Sequence, residues 1–193
     1  MSKKVFIIHG WGGYPSEGWF PWLKAELEKN GFLVEVPEMP NSDEPRINVW
    51  IPFLREIINN PDQDTYLVGH SIGCQAIARF IEKLPEGVKI GGAVFVAGFF
   101  KRLTNLEEEE ISSGVDKEWL EAPIDFDNIK NKLIKSFAIF SSNDESVPLD
   151  NQDDFRERLG SEIIIDGDKG HFSGSDGINE LHVVFDSILK MAK

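Results

Sequence analysis

At 193 residues the chain is long enough to bury one substantial core. Its net charge of −13 disfavours nucleic-acid and membrane-surface roles, because such a chain is repelled by phosphate backbones and anionic lipid. A single cysteine excludes an intrachain disulfide and suits a reducing compartment, so a cytoplasmic location is expected.

The first apolar run, Val5–Ile8, is too short for a signal peptide or a membrane span and reads as a strand. The glycine-rich stretch His9-Gly10-Trp11-Gly12-Gly13 follows it. Trp19–Lys29 then sets Trp19, Trp22, Leu23 and Leu27 at helical spacing. Phe32–Val36 reads as a second strand. Ile47–Ile58 repeats the helical pattern through Ile47, Trp50, Ile51, Leu54 and Ile58. Tyr66–Val68 is a third strand and Ile72–Leu84 the helix after it. Ala93–Ala97 is a fourth strand. The segment 99–127 exceeds the length of an ordinary connection. Within it Leu103–Ile111 looks helical and Trp119-Leu120-Glu121-Ala122-Pro123 does not, while Glu107–Glu110 reads as a solvated face. Phe137–Phe140, a helix at Gln152–Leu159, Ile163–Ile165 and a final helix at Ile178–Met191 complete the pattern. The strands are mostly apolar throughout, as strands buried on both faces should be. Strands alternating with helices predict an α/β fold, a mostly parallel six-stranded sheet with helices on both faces. No linker, repeat or low-complexity tract divides the chain, so one domain over 1–193 is expected, with a small cap at 99–127.

Gly69-His70-Ser71-Ile72-Gly73 stands between the third strand and its helix. A Gly-x-Ser-x-Gly in that setting is a nucleophile elbow. The turn strains the serine backbone and lifts its hydroxyl above the sheet, and glycines remove collisions across it. Ser71 is therefore the candidate nucleophile. It needs a base, and the base needs an orienting carboxylate. His171, in the loop after the sixth strand, fits the base. Of the other histidines, His9 has the place of a loop-shaping residue, His70 is turned elsewhere by the elbow, and His182 lies in the last helix. Asp144, in the loop after the fifth strand, fits the acid ahead of Glu145 and Asp150, since the expected chain order after such an elbow is Ser, Asp, His. Backbone N–H groups of Ile72 and Trp11 would form an oxyanion hole. Phe99, Trp119 and Phe172 are candidate walls of an apolar acyl pocket. The histidines and cysteine show no metal-ligand spacing, and the glycine-rich loop is not a P-loop, so neither metal nor cofactor is expected.

Several stretches spread over the chain carry a resemblance. They are Ile7–Gly13, Val68–Gly73, Trp119 with Pro123 and Phe126, Asn143-Asp144 with Val147-Pro148, and Lys169–Phe172. In these the chain resembles the YdeN-type serine hydrolases, the group of the α/β-hydrolase superfamily that includes retinoblastoma-binding protein nine. The resemblance implies a compact hydrolase with Ser71, Asp144 and His171 as its triad. Cys74 departs from it, where alanine is usual. The expected activity is hydrolysis of a small, moderately apolar ester, with a small-molecule acyl substrate as the partner. An amidase or aminopeptidase with the same triad is the second enzymatic reading. A protein-interaction module keeping the hydrolase fold is the competing class, although no protein partner is indicated.

Overall fold

The computed structural model describes residues 2–193. Six strands form one sheet: β1 (Lys4–Ile8), β2 (Leu33–Glu35), β3 (Thr65–His70), β4 (Gly92–Val96), β5 (Ser136–Ser141) and β6 (Glu162–Asp166). Their order is β2-β1-β3-β4-β5-β6, and every pairing is parallel rather than only most of them. The chain winds outward from β1 to β2, then returns to lay β3 on the other side of β1. The crevice where the winding reverses therefore lies beyond the ends of β1 and β3, where open α/β sheets place their ligands.

Two helices, α1 (Phe20–Lys29) and α8 (His182–Met191), cover one face. Their core includes Trp19, Leu23, Val68, Val94, Phe172 and Ile188. On the other face lie α2 (Ile47–Ile57), α3 (Ile72–Glu82), α4 (Glu108–Ser113), α5 (Val115–Glu121), α6 (Phe126–Lys132) and α7 (Gln152–Asp154). Trp50, Ile77, Phe95, Phe99, Trp119 and Phe155 fill the core beneath them. All residues of β3, β4 and β5 are buried, which explains their unbroken apolar runs. No helix among the described residues is long and apolar enough to cross a membrane.

The segment 99–127 departs most from expectation. Glu110 accepts the Glu107 N–H at 2.7 Å and three glutamates fill the first turn, so the acidic run starts α4. Gly114, at φ 69°, ends α4 and begins α5. Trp119 is thus helical, contrary to the sequence reading. Its position is fixed from three sides. Its indole Nε1 donates to Pro45 O at 2.9 Å, its ring packs edge-on against Trp50 at 6.0 Å, and its carbonyl accepts from Arg79 at 3.0 Å. Arg79 also donates to Ala122 O and Pro123 O. These bonds seat α5 on α2 and α3. At the other end, Gln152–Leu159 divides into α7 and a π-helical stretch at Phe155–Leu159. The final helix begins at His182 rather than Ile178.

Candidate active site

Ser71 takes φ 53° and ψ −123°, a conformation that costs an ordinary residue about 1–3 kcal/mol. Its N–H donates to Val96 O at 2.9 Å, which ties the turn to β4. A Cβ at Gly73 would overlap the Ile8 carbonyl oxygen and lie 2.6 Å from His9 O. Only glycine therefore lets α3 start so close to β1. The serine sits at the N-terminus of an 11-residue helix, where the aligned peptide dipoles favour negative charge.

A cavity of about 470 Å³ opens beside it, lined by Gly10, Trp11, Glu17, His70, Ser71, Asn143, Glu145, Ser146, Gly170, His171, Ser173, Ser175 and Asp176. Ser71 and His171, predicted on different loops, share this cavity. Asp144 lies beneath it, its side chain only 2% exposed. Asp144 Oδ2 stands 2.8 Å from His171 Nδ1, and its Oδ1 accepts the N–H groups of Ser146 and Val147, each at 2.9 Å. A carboxylate can only accept here, so Nδ1 carries the imidazole proton and the Nε2 lone pair is left for the serine side. The rival carboxylates do not make this contact. Asp150 pairs with Arg102 at 3.2 Å, and Glu145 lines the cavity wall.

The loop bearing His171 has no regular structure, yet side chains hold it along its length. Lys169 N–H donates to Ser141 Oγ at 2.9 Å and Gly170 N–H to Asn143 Oδ1 at 2.8 Å. Trp19 Nε1 donates to Phe172 O at 2.9 Å. His70 was expected to turn away, but its Nε2 donates to His171 O at 2.7 Å. Burial, reinforced by the nearby His171, pushes the His70 pKa down to about 3, so His70 serves as a neutral donor.

His9 shapes the opposite loop. Its Nδ1 donates to Gly10 O at 2.9 Å, its Nε2 accepts the Met39 N–H at 3.0 Å, and burial lowers its pKa. In that loop Gly12 N–H bonds Ser42 O and Gly13 N–H bonds Gly10 O. The Trp11 N–H makes no such backbone bond among the described residues, and the Ile72 N–H is the first of α3. His182 is an exposed helix-start residue 3.3 Å from Glu180.

None of Phe99, Trp119 and Phe172 lines the cavity, and the three are 1%, 0% and 0% exposed. Their large apolar rings gain more in the two cores than they would beside a polar mouth. No residue of 99–127 reaches the cavity either. From that stretch Thr104 and Asn105 donate to Glu145 O and so brace the acid loop. The three rings expected as pocket walls thus lie in the core. The walls are mostly polar, and Trp11 is the only large aromatic ring among the described residues that line them.

Sequence reasoning missed Glu17, Asn143 and Asp176. Asn143 adjoins the predicted acid and could have been flagged by that adjacency. Ser173-Gly174-Ser175-Asp176 has the composition of a turn in which an aspartate binds backbone two or three residues away, a local signal for Asp176. Nothing local marks Glu17.

Residues 5–189 match the serine hydrolase family. The chain belongs to that family. It is 32% identical to YdeN of Bacillus subtilis over 186 residues, covering 96% of this chain and 94% of YdeN. The crystal structure of the B. subtilis ydeN gene product superposes with a TM-score of 0.89 at 30% identity, covering 98% of both chains. The serine hydrolase RBBP9 of Rattus norvegicus is 27% identical over 98% of this chain and 97% of its own. This serine hydrolase thus keeps the α/β-hydrolase architecture of its relatives in a chain of nearly their length.

Proposed function

We propose that the chain hydrolyses small esters through an acyl-enzyme on Ser71, with His171 as base and Asp144 as its orienting acid. Ser71 Oγ attacks the carbonyl carbon while His171 Nε2 takes its proton. The tetrahedral oxyanion is held by the N–H groups of Trp11 and Ile72. Collapse expels the alcohol, which receives the proton from His171. Water then repeats the sequence and frees the acid. The 2.8 Å contact between His171 and Asp144, in the cavity that carries the elbow serine, is the observation that carries the reading. A cavity of about 470 Å³ has room for a small acyl group and its alcohol. Rates for p-nitrophenyl esters from acetate to decanoate test it, with Ser71→Ala as the inactive control. Turnover should fall beyond hexanoate. Undiminished turnover by Ser71→Ala would refute the reading.

The lining also favours the amine-bearing substrates of the aminopeptidase alternative. Glu17, Glu145 and Asp176 line the cavity, and no Lys or Arg among the described residues does. Glu17 is half-buried, and that burial raises its pKa against the opposing pull of the Tyr14 backbone and His171. An ammonium group on the substrate would favour its ionised form. The ratio of kcat/KM for an α-aminoacyl ester over its des-amino analogue should fall about tenfold in Glu17→Gln. An unchanged ratio would leave the simple esterase reading alone.

A further inference from the structure

We propose that Asp176 is a positioning residue for His171, holding its peptide group and setting a second negative charge beside its imidazole. The inference rests on the reading of His171 as the base. The loop between β6 and α8 carries left-handed backbone on both sides of His171: Asp168 at φ 55° and Gly170 at φ 54° before it, and Phe172 at φ 57° after it. Such a path persists only where surrounding contacts over-determine it. Asp176 supplies the contacts nearest the base. Its Oδ2 accepts the His171 N–H at 3.0 Å, the Ser173 N–H at 3.0 Å and the Ser173 hydroxyl at 2.6 Å. Its carboxylate also lies against Gly170, where any Cβ would overlap Oδ1. A side chain at Gly170 would therefore displace the carboxylate that holds the next residue's N–H.

The arrangement is two-sided. Asp176 holds the His171 N–H from within the loop, and His70 holds the His171 carbonyl from the end of β3. The ring is held separately by Asp144. All three groups reach the same residue, so the base is fixed in both main chain and side chain. Burial works against the ionised form of Asp176, but the donors from Ser173 and His171 prevail and keep its pKa below the usual carboxylate value. A permanent carboxylate here favours the imidazolium that forms as Ser71 loses its proton.

The charges that face His171 are few. Asp144 is on Nδ1, Asp176 is at its N–H, Glu17 reaches toward it from the loop before α1, and Glu145 stands on the cavity wall. His70 faces it as a neutral ring, 5.0 Å away between centroids.

The substitution Asp176→Asn separates charge from shape, because an amide oxygen still accepts hydrogen bonds in the same place. Histidine ring titrations followed by NMR read the effect directly, with Ser71→Ala as background so that no substrate is involved. The His171 midpoint should move to lower pH by about half a unit or more in Asp176→Asn. Ser173→Ala loosens the loop but keeps the carboxylate, and its midpoint should stay with the parent. In the protein with Ser71 intact, kcat for a small ester should fall about tenfold in Asp176→Asn with KM little changed. An unmoved midpoint overturns the proposal, and so does a Ser173→Ala shift as large as that of Asp176→Asn. If no ester is turned over at all, the proposed function fails, while the titration still decides what Asp176 does.

Discussion

Replacing His70 with glutamine should remove a large part of the acid sensitivity of the fold. His70 is 4% exposed, wedged against Trp19 and Phe20 with ring centroids 6.2 and 6.1 Å away. Its pKa is about 3 in the folded chain against an ordinary 6.5. Between those two values the unfolded chain binds a proton that the folded chain refuses. Stability therefore falls as the pH drops below about 6.5 and goes on falling until the pH nears 3. Each pH unit well inside that window is worth about 1.4 kcal/mol. From pH 7 to pH 5 the integrated loss from this one group is about 2 kcal/mol. The lower bound of the window lies so far beneath pH 5 that its exact value does not affect this figure. Glutamine can still donate to the His171 carbonyl but does not titrate. Urea unfolding of both proteins at pH 7 and pH 5 isolates the difference, because His9 and the carboxylates are common to both. The parent should lose about 2 kcal/mol more than His70→Gln across that interval. Equal losses would refute the claim that a buried neutral His70 supports the active-site loop.

Two further outcomes follow from burial. Trp119→Ala should destabilise the chain by about 3–5 kcal/mol and lower the rates for all ester lengths in parallel, since Trp119 is core; melting curves and an ester series read both. Cys74 is fully buried, and that burial pushes its thiol well above the ordinary range, so iodoacetamide at pH 8 should modify it only after denaturation, as read by intact mass.

The sequence carried the alternation of strands and helices because β3, β4 and β5 are buried on both faces and so are apolar between their end residues. Ser71 was legible for a related reason: the elbow is a local turn, and its steric demand for glycine is written within three residues. His171 and Asp144 needed only chain order to be named, although their meeting depends on two strand ends lying side by side. The walls of the cavity were not legible. Composition says that Trp119 and Phe172 are apolar, but not which of two apolar destinations, core or pocket, receives them. Trp119 was settled by distant partners, Pro45 and Arg79, and Phe172 by a left-handed backbone that buries its ring and gives its carbonyl to Trp19. Glu17 and Asp176 come to the site through loop paths that periodicity does not record.

The central claim is that Ser71 is the nucleophile of a serine hydrolase whose base is His171. A fluorophosphonate probe followed by peptide mapping tests it most directly. One adduct per chain is expected, on Ser71, absent from Ser71→Ala and formed at least about a hundredfold more slowly in His171→Ala. An adduct on Ser141 or Ser173, or labelling that persists in Ser71→Ala, would contradict it.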